Sequence, residues 1–204
     1  ANISTGGSTF CTGSLINNTA NDHKMYFMTA NHCGINSGNA ASLVAFWNYE
    51  NSFCRTPGST QSGQPGDGQL TEFHTGSFFR AASGASDMTL VELDDPPVGA
   101  FNHFWAGWDR NPGDVICTGL TPCAGIHHPN NDEKRITYSL SNMVPSSWGG
   151  TPPPTPGDGT HLWVHWATDP PGPFTVPGVT EPGSSGSPVY DADGQFVGQL
   201  HGGA

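Results

Sequence analysis

An all-β fold is what this sequence predicts, and three observations predict it. Short runs of β-type residues recur from one end to the other, and clusters of turn formers separate them. The composition is rich in Gly (28) and Pro (18), with only 11% charged residues in 204, which argues against a mostly helical chain. Regularly spaced short strands of this kind read as a sandwich or a barrel.

The runs follow in order: Thr12–Ile16, Lys24–Thr29, Leu43–Tyr49, Thr89–Leu93, Ile136–Leu140, His161–Trp166, Pro188–Asp191 and Gln195–His201. The first two are joined by Asn17-Asn18-Thr19-Ala20-Asn21-Asp22, whose side chains favour turns. The last two are joined by Asp191-Ala192-Asp193-Gly194, which reads as a hairpin turn, too short for a calcium loop. Thr56–Gln69 and Thr151–Thr160 are loops rich in Pro, Gly and Ser. A seam between two halves falls near Asp109–Asp114, where Arg110-Asn111-Pro112-Gly113-Asp114 is turn chemistry throughout. Two barrels with a site in the cleft between them fit this layout.

The formal charge of −11 argues against a nucleic-acid partner, whose phosphates need a basic footprint, and favours cationic peptides. No stretch of 18 apolar residues is present, so no membrane span is expected. Ala1-Asn2-Ile3-Ser4 lacks a basic start and an apolar core, so any signal segment is expected to be already absent. The five cysteines, Cys11, Cys33, Cys54, Cys117 and Cys123, are dispersed as in an exported protein, and none forms a CxxC zinc pair. Cys11–Cys33 would close a loop worth about 3 kcal/mol, and Cys117–Cys123 would clip a short one. Cys54 is left over, either free or paired outside this chain.

Chemistry enters with Gly183-Ser184-Ser185-Gly186-Ser187-Pro188. A serine between glycines on a tight turn can expose its hydroxyl beside backbone N–H groups, as an acyl-transfer nucleophile with an oxyanion hole requires. His32, in Thr29-Ala30-Asn31-His32-Cys33 just after a hydrophobic run, supplies a general base, since a histidine titrates near neutrality. Asp87, leading into Met88-Thr89-Leu90-Val91-Glu92-Leu93, supplies the acceptor that fixes the histidine tautomer; Asp94 and Asp95 compete but lie past the strand in a Pro-bounded turn. Gly183 and Ser185 would donate the oxyanion-hole N–H groups. The order His, Asp, Ser along the chain is that of chymotrypsin. Ser184, unlike an aspartate, cannot pair with a freed amino terminus, so activation by terminus insertion is not expected. His127 and His128 are adjacent, point oppositely on a strand and read as structural; no metal site and no cofactor are expected.

Several segments carry a family resemblance. Cys11-Thr12-Gly13-Ser14-Leu15 through Thr29-Ala30-Asn31-His32-Cys33-Gly34 resembles the first-barrel core of chymotrypsin-fold serine proteases. Phe46-Trp47-Asn48-Tyr49, Phe104-Trp105-Ala106-Gly107-Trp108-Asp109, Ile126-His127-His128-Pro129, Glu133-Lys134-Arg135-Ile136 and Thr180-Glu181-Pro182-Gly183-Ser184-Ser185 are similar to the bacterial secreted lysyl endopeptidases. The resemblance implies a chymotrypsin-like double β-barrel, with residues 1–110 carrying His32 and Asp87 and residues 111–204 carrying Ser185. It also implies secretion as a precursor and cleavage after lysine; a monomer acting on polypeptides is expected. Relative to that family the chain is expected to be truncated at both ends, without the partner of Cys54 and without the lysine-reading aspartate beyond Ala204.

Specificity rests on fewer residues. Val179, six before the nucleophile, cannot act as a trypsin-style anionic floor. Glu181 at the pocket mouth would favour a cation, while Trp148 and His201 resemble an aromatic–histidine pair beside the lysyl endopeptidase site, with Gly202 next to them. A glutamyl endopeptidase shares Ser-Gly-Ser-Pro and uses a histidine near His201 to read a carboxylate, and a protease homologue that binds without cutting would share the fold.

Overall fold

The structure is a computed structural model that describes residues 1–55, 60, 61, 63–110, 113, 115–149, 157–167, 178 and 180–203. Eight strands precede residue 94: β1 (Asn2–Ser4), β2 (Cys11–Thr12), β3 (Ser14–Leu15), β4 (Tyr26–Ala30), β5 (Val44–Phe46), β6 (Phe73–Thr75), β7 (Ser77–Ser83) and β8 (Met88–Leu93). Six follow residue 122: β9 (Cys123–His127), β10 (Arg135–Ser139), β11 (Val144–Ser146), β12 (His161–Trp163), β13 (Pro188–Tyr190) and β14 (Phe196–Gln199). They form antiparallel sheets in the orders β2-β1-β5-β6, β3-β4-β8-β7 and β10-β9-β13-β14, with β11-β12 as a separate pair. Each of the eight β-type runs in the sequence overlaps at least one of these strands.

Two clusters of buried side chains support the sheets. The first gathers Ile3, Leu15, Phe27, Ile35, Leu43 and Val91 with their neighbours, and Phe27 meets Trp47 edge-on at 5.9 Å. The second is smaller and is built on Cys117, Cys123, Met143 and Val189. In β8 exposure alternates strictly, with Thr89, Val91 and Leu93 inward, as a half-buried strand requires.

The register of β4 and β8 matters most for the site. They pair antiparallel from Tyr26 opposite Glu92 to Ala30 opposite Met88. The residues just beyond β4 and just before β8 therefore emerge side by side at one end of the sheet. His32 lies on a 3-10 turn, Asn31–Cys33, that Gly34 ends in the left-handed region (φ 78°). Asp87 lies immediately ahead of β8.

Both expected disulfides are formed, Cys11–Cys33 and Cys117–Cys123, and Cys54 is a free, exposed thiol. The Asp191–Gly194 segment is the expected hairpin turn: the Asp191 N–H donates to the Gln195 carbonyl, and Asp191 Oδ1 accepts the N–H groups of Asp193 and Gln195. Val179 and parts of the two Pro/Gly-rich loops and of the 109–114 seam lie outside the described residues. Among the described residues no helix is long and apolar enough to cross a membrane.

Cys33 follows His32 directly, so the Cys11–Cys33 bond ties the histidine turn to β2. Replacing both cysteines by Ala is expected to lower unfolding stability by about 3 kcal/mol in denaturant titrations. A loss below about 0.5 kcal/mol would show that this bond does not constrain the unfolded chain in the way loop closure predicts.

Candidate active site

Asp87 is buried and adopts φ +50°, a conformation a non-glycine residue takes only when its surroundings hold it there. They do so at several points. The Asp87 carbonyl accepts the Asn31 N–H at 2.8 Å and the Gln199 Nε2–H at 2.8 Å, the latter reaching over from β14. The carboxylate accepts the backbone N–H of His32 at Oδ1 (2.8 Å) and the ring Nδ1–H of His32 at Oδ2 (2.7 Å). Gripping one histidine through main chain and side chain fixes the ring's position and leaves Nε2 as its free acceptor. The His32 side chain is 40% exposed while that of Asp87 is 4% exposed, so the imidazole is open to solvent and its partner stands behind it.

The Ser185 turn is held from the first half of the chain. Thr12, buried at the end of β2, donates its N–H to the Ser185 carbonyl and its hydroxyl to the Gly183 carbonyl, both at 2.8 Å. Thr29 in turn donates its hydroxyl to the Thr12 carbonyl at 2.7 Å. Cys33 Sγ lies 3.9 Å from the Ser185 carbonyl oxygen, which puts the residue after His32 against the serine turn. Gly186 has φ +80°, and a Cβ there would meet Thr29 Oγ1, the Thr12 carbonyl and the Ala30 nitrogen. No residue with a side chain fits between the turn and β4.

Gly183 is fixed by the backbone packed around it. Its φ is +98°, and a Cβ would fall 2.6 Å from the Asn131 nitrogen and 2.8 Å from the His128 carbonyl oxygen. The constraint is close packing against the 128–131 turn. A trans peptide holds C=O and N–H on opposite sides. Because the Pro182 carbonyl accepts the Asn130 N–H (2.7 Å), the Gly183 N–H points away from that turn. The Ser184 carbonyl accepts the Ser187 N–H (3.0 Å), so the Ser185 N–H is likewise turned outward.

Ser184 is fully buried and held by His127. Its Oγ lies 2.8 Å from His127 Nδ1, and His127 Nε2 lies 2.8 Å from Thr137 Oγ1 on β10. The Glu181 N–H donates to the same Oγ at 3.3 Å. A neutral buried histidine thus braces the serine turn from beneath. His128 is also buried but turns to other partners, the Asp132 carbonyl and the Tyr49 ring. The pair do not share a ligand position.

Trp148 stacks on His201 with centroids 3.5 Å apart and planes at 13°, and His201 in turn lies 5.3 Å from the His32 ring. Gly202 sits beside the stack, where a Cβ would come 3.3 Å from Trp148 Cη2. Glu181 is exposed on the turn ahead of Ser185, and Asp94 and Asp95 are exposed and away from His32. His32, Asp87 and His201 place donor atoms close enough to suggest a metal. The 2.7 Å between His32 Nδ1 and Asp87 Oδ2 is a hydrogen bond, shorter than the roughly 3.3 Å that separates two ligands around a tetrahedral zinc. The set Cys11, His32 and Cys33 is closed to metal because both cysteines are oxidised.

The sheets belong to a recognisable class of fold. The backbone is similar to that of the HtrA-type protease AlgW with decapeptide (TM-score 0.54, 16% identity, 95% of this chain and 43% of that one). It is also similar to the Rv3671c protease of M. tuberculosis in its inactive form (TM-score 0.51, 14% identity, 100% and 77%). At such identities the likeness concerns the fold alone, which is all-β and chymotrypsin-like. The sequence narrows the class: residues 1–204 match the family described as lysyl endopeptidase, C-terminal domain. The lysyl endopeptidase of Pseudomonas aeruginosa PAO1 is 32% identical over 199 residues, covering 97% of this chain and 37% of that protein. The chain belongs to the lysyl endopeptidase C-terminal domain family. It spans 37% of the length of that relative.

The brace under Ser184 has a pH signature. Burial lowers the His127 pKa from 6.5 to about 4, helped by Arg135. The unfolded chain takes up this proton near its ordinary value and the folded chain refuses it until about pH 4, so stability is full above 6.5 and falls as pH drops through that window. The largest loss from this residue is about 3 kcal/mol. His127→Gln is expected to flatten the stability–pH slope between pH 6.5 and 4 by about one proton. An unchanged slope in denaturant titrations across that window would contradict the assignment.

Proposed function

We propose that the chain is the protease domain of a secreted serine endopeptidase that hydrolyses polypeptides after lysine through an acyl-enzyme. The observation that carries the reading is the 2.7 Å bond from His32 Nδ1 to the buried Asp87 carboxylate, beside a serine turn pinned to the same β2–β4 corner. Ser185 Oγ attacks the scissile carbonyl while His32 Nε2 takes its proton. The oxyanion is met by the N–H groups of Gly183 and Ser185, each such donor being worth about 10²–10³ in rate. His32 then protonates the leaving amine, and water repeats the sequence to release the acid. Asp87 keeps the imidazole in the tautomer that can accept at Nε2 and stabilises the imidazolium.

Lysine selectivity is supported by family membership and by an acidic, cation-favouring protein with Glu181 ahead of the nucleophile. Trp148 and His201 form one wall, with Gly202 beside them, and a compact ammonium and a planar guanidinium are not interchangeable in a narrow slot. The disulfides support an exported protein. The reading includes a monomer of two halves, residues 1–110 and 111–204, acting on polypeptides without a cofactor, nucleic acid or membrane partner.

Ser185→Ala is expected to reduce kcat/KM by about 10⁴–10⁶ with an unchanged unfolding midpoint. On matched peptides differing only in the residue before the scissile bond, Lys is expected to exceed Arg and greatly exceed Glu. Substantial turnover by the Ser185 variant would remove the nucleophile assignment. A preference for Glu would instead overturn the lysine reading and make His201 a carboxylate reader.

A further inference from the structure

The two N–H groups assigned to the oxyanion are aimed by different means. The Ser185 N–H shares its peptide plane with the Ser184 carbonyl, which accepts the Ser187 N–H at 3.0 Å, a contact inside the serine turn. The Gly183 N–H shares its plane with the Pro182 carbonyl, so whatever holds that carbonyl aims the N–H. Its donor comes from outside the turn: the Asn130 N–H, at 2.7 Å. Pro182 carries no N–H of its own to add a second anchor. One donor of the pair is set locally, and the other depends on a contact far along the chain.

Asn130 makes that bond from a left-handed backbone, φ 52° and ψ 26°, and Asn131 follows at φ 55°. Asparagine enters this region more readily than other residues with a side chain, and a β-branched residue scarcely enters it at all. The Asn130 side chain is exposed, so what the residue brings to the site is its main chain. The segment around it is tethered on both sides. Upstream, the His128 N–H donates at 3.2 Å to Thr12 Oγ1, the hydroxyl that itself donates to the Gly183 carbonyl. Downstream, Asn2 Nδ2–H donates to the Asn131 carbonyl at 3.2 Å, and the Asp132 N–H donates to the Pro129 carbonyl at 3.0 Å. With both flanks held, a right-handed Asn130 would have to turn the Pro129–Asn130 peptide. Its N–H would then leave the Pro182 carbonyl.

We propose that Asn130 is a positioning residue whose left-handed backbone aims the Gly183 N–H at the oxyanion. This rests on the reading given above, which assigns that N–H to the oxyanion hole, and adds a residue that touches neither substrate nor triad. The oxyanion exists only once the carbonyl has been attacked, so a misaimed donor slows the chemical step and leaves substrate binding as it was. The Ser185 N–H keeps its own local hold, so the loss stops short of the whole hole.

The test is a series at one position, Asn130→Gly, Asn130→Ala and Asn130→Val, which keeps the N–H and makes positive φ progressively harder to hold. Unfolding midpoints establish that each variant is folded, and Ala carries the test if Val is not. The readouts are kcat and KM on one lysyl peptide amide, and the rate of inactivation by a fluorophosphonate. The phosphoryl oxygen of that reagent takes the place of the oxyanion, so its rate does not depend on the lysine reading. Asn130→Val is expected to lose about tenfold in kcat and in inactivation rate, a fraction of the roughly 10²–10³ that one donor is worth. Its KM is expected to stay within about twofold of wild type. The Ala variant is expected to fall between, and the Gly variant to restore both rates to within about twofold. Folded Ala and Val variants with wild-type rates would overturn the proposal, as would a loss confined to KM. A Gly variant no better than Ala would also overturn it, because the side chain and not the backbone would then matter. Failure of the triad reading shows separately, as a wild-type protein that does not react with the fluorophosphonate.

Discussion

A buried carboxylate that must find donors organises this site. Asp87 has almost no access to water, and its two oxygens are taken by the main-chain and ring N–H groups of one residue, His32. That double grip is possible only because β4 and β8 run antiparallel in a register that ends with Ala30 opposite Met88. It also demands a left-handed backbone at Asp87, held by donors from Asn31 and from Gln199. An aspartate with φ +50° is strained by itself, and the surrounding donors make the strain tolerable.

Thr12 plays the matching part for the serine turn. One residue at the end of a two-residue strand donates both its N–H and its hydroxyl to the carbonyls of Ser185 and Gly183, while its own carbonyl is held by Thr29. The Cys11–Cys33 bond adjoins this clamp, so the histidine turn, β2 and the serine turn share one corner. His127 completes the arrangement from the second half, through Ser184. Where a protease activated by a new amino terminus relies on an ion pair, a neutral buried histidine and a hydroxyl stand here.

Much of this was legible in the sequence, for identifiable reasons. Strands such as β8 announce themselves because one face is buried and the alternation is strict. The disulfides could be paired by loop length, and His32, Asp87 and Ser185 were picked out by residue type beside a strand or a glycine turn. β1 and β6 were missed as three-residue strands, β7 because most of its residues, Phe78 among them, are exposed, β9 because Ala124 and Gly125 interrupt it, and β11 because of Pro145. Thr12, Gln199 and His127 carry no local signal. Their roles arise from long-range contacts across the sheets, and a buried histidine beside a hydroxyl looks in the sequence like any other.

The central claim is that the hydroxyl of Ser185 is activated by the His32–Asp87 pair, and covalent labelling tests it most directly. The intact protein is treated with a fluorophosphonate at mildly alkaline pH and the modified residue is located by peptide mass spectrometry. A single stoichiometric adduct on Ser185, lost in His32→Ala, is the predicted result. Absence of an adduct in folded protein, or an adduct on a different serine, would contradict it.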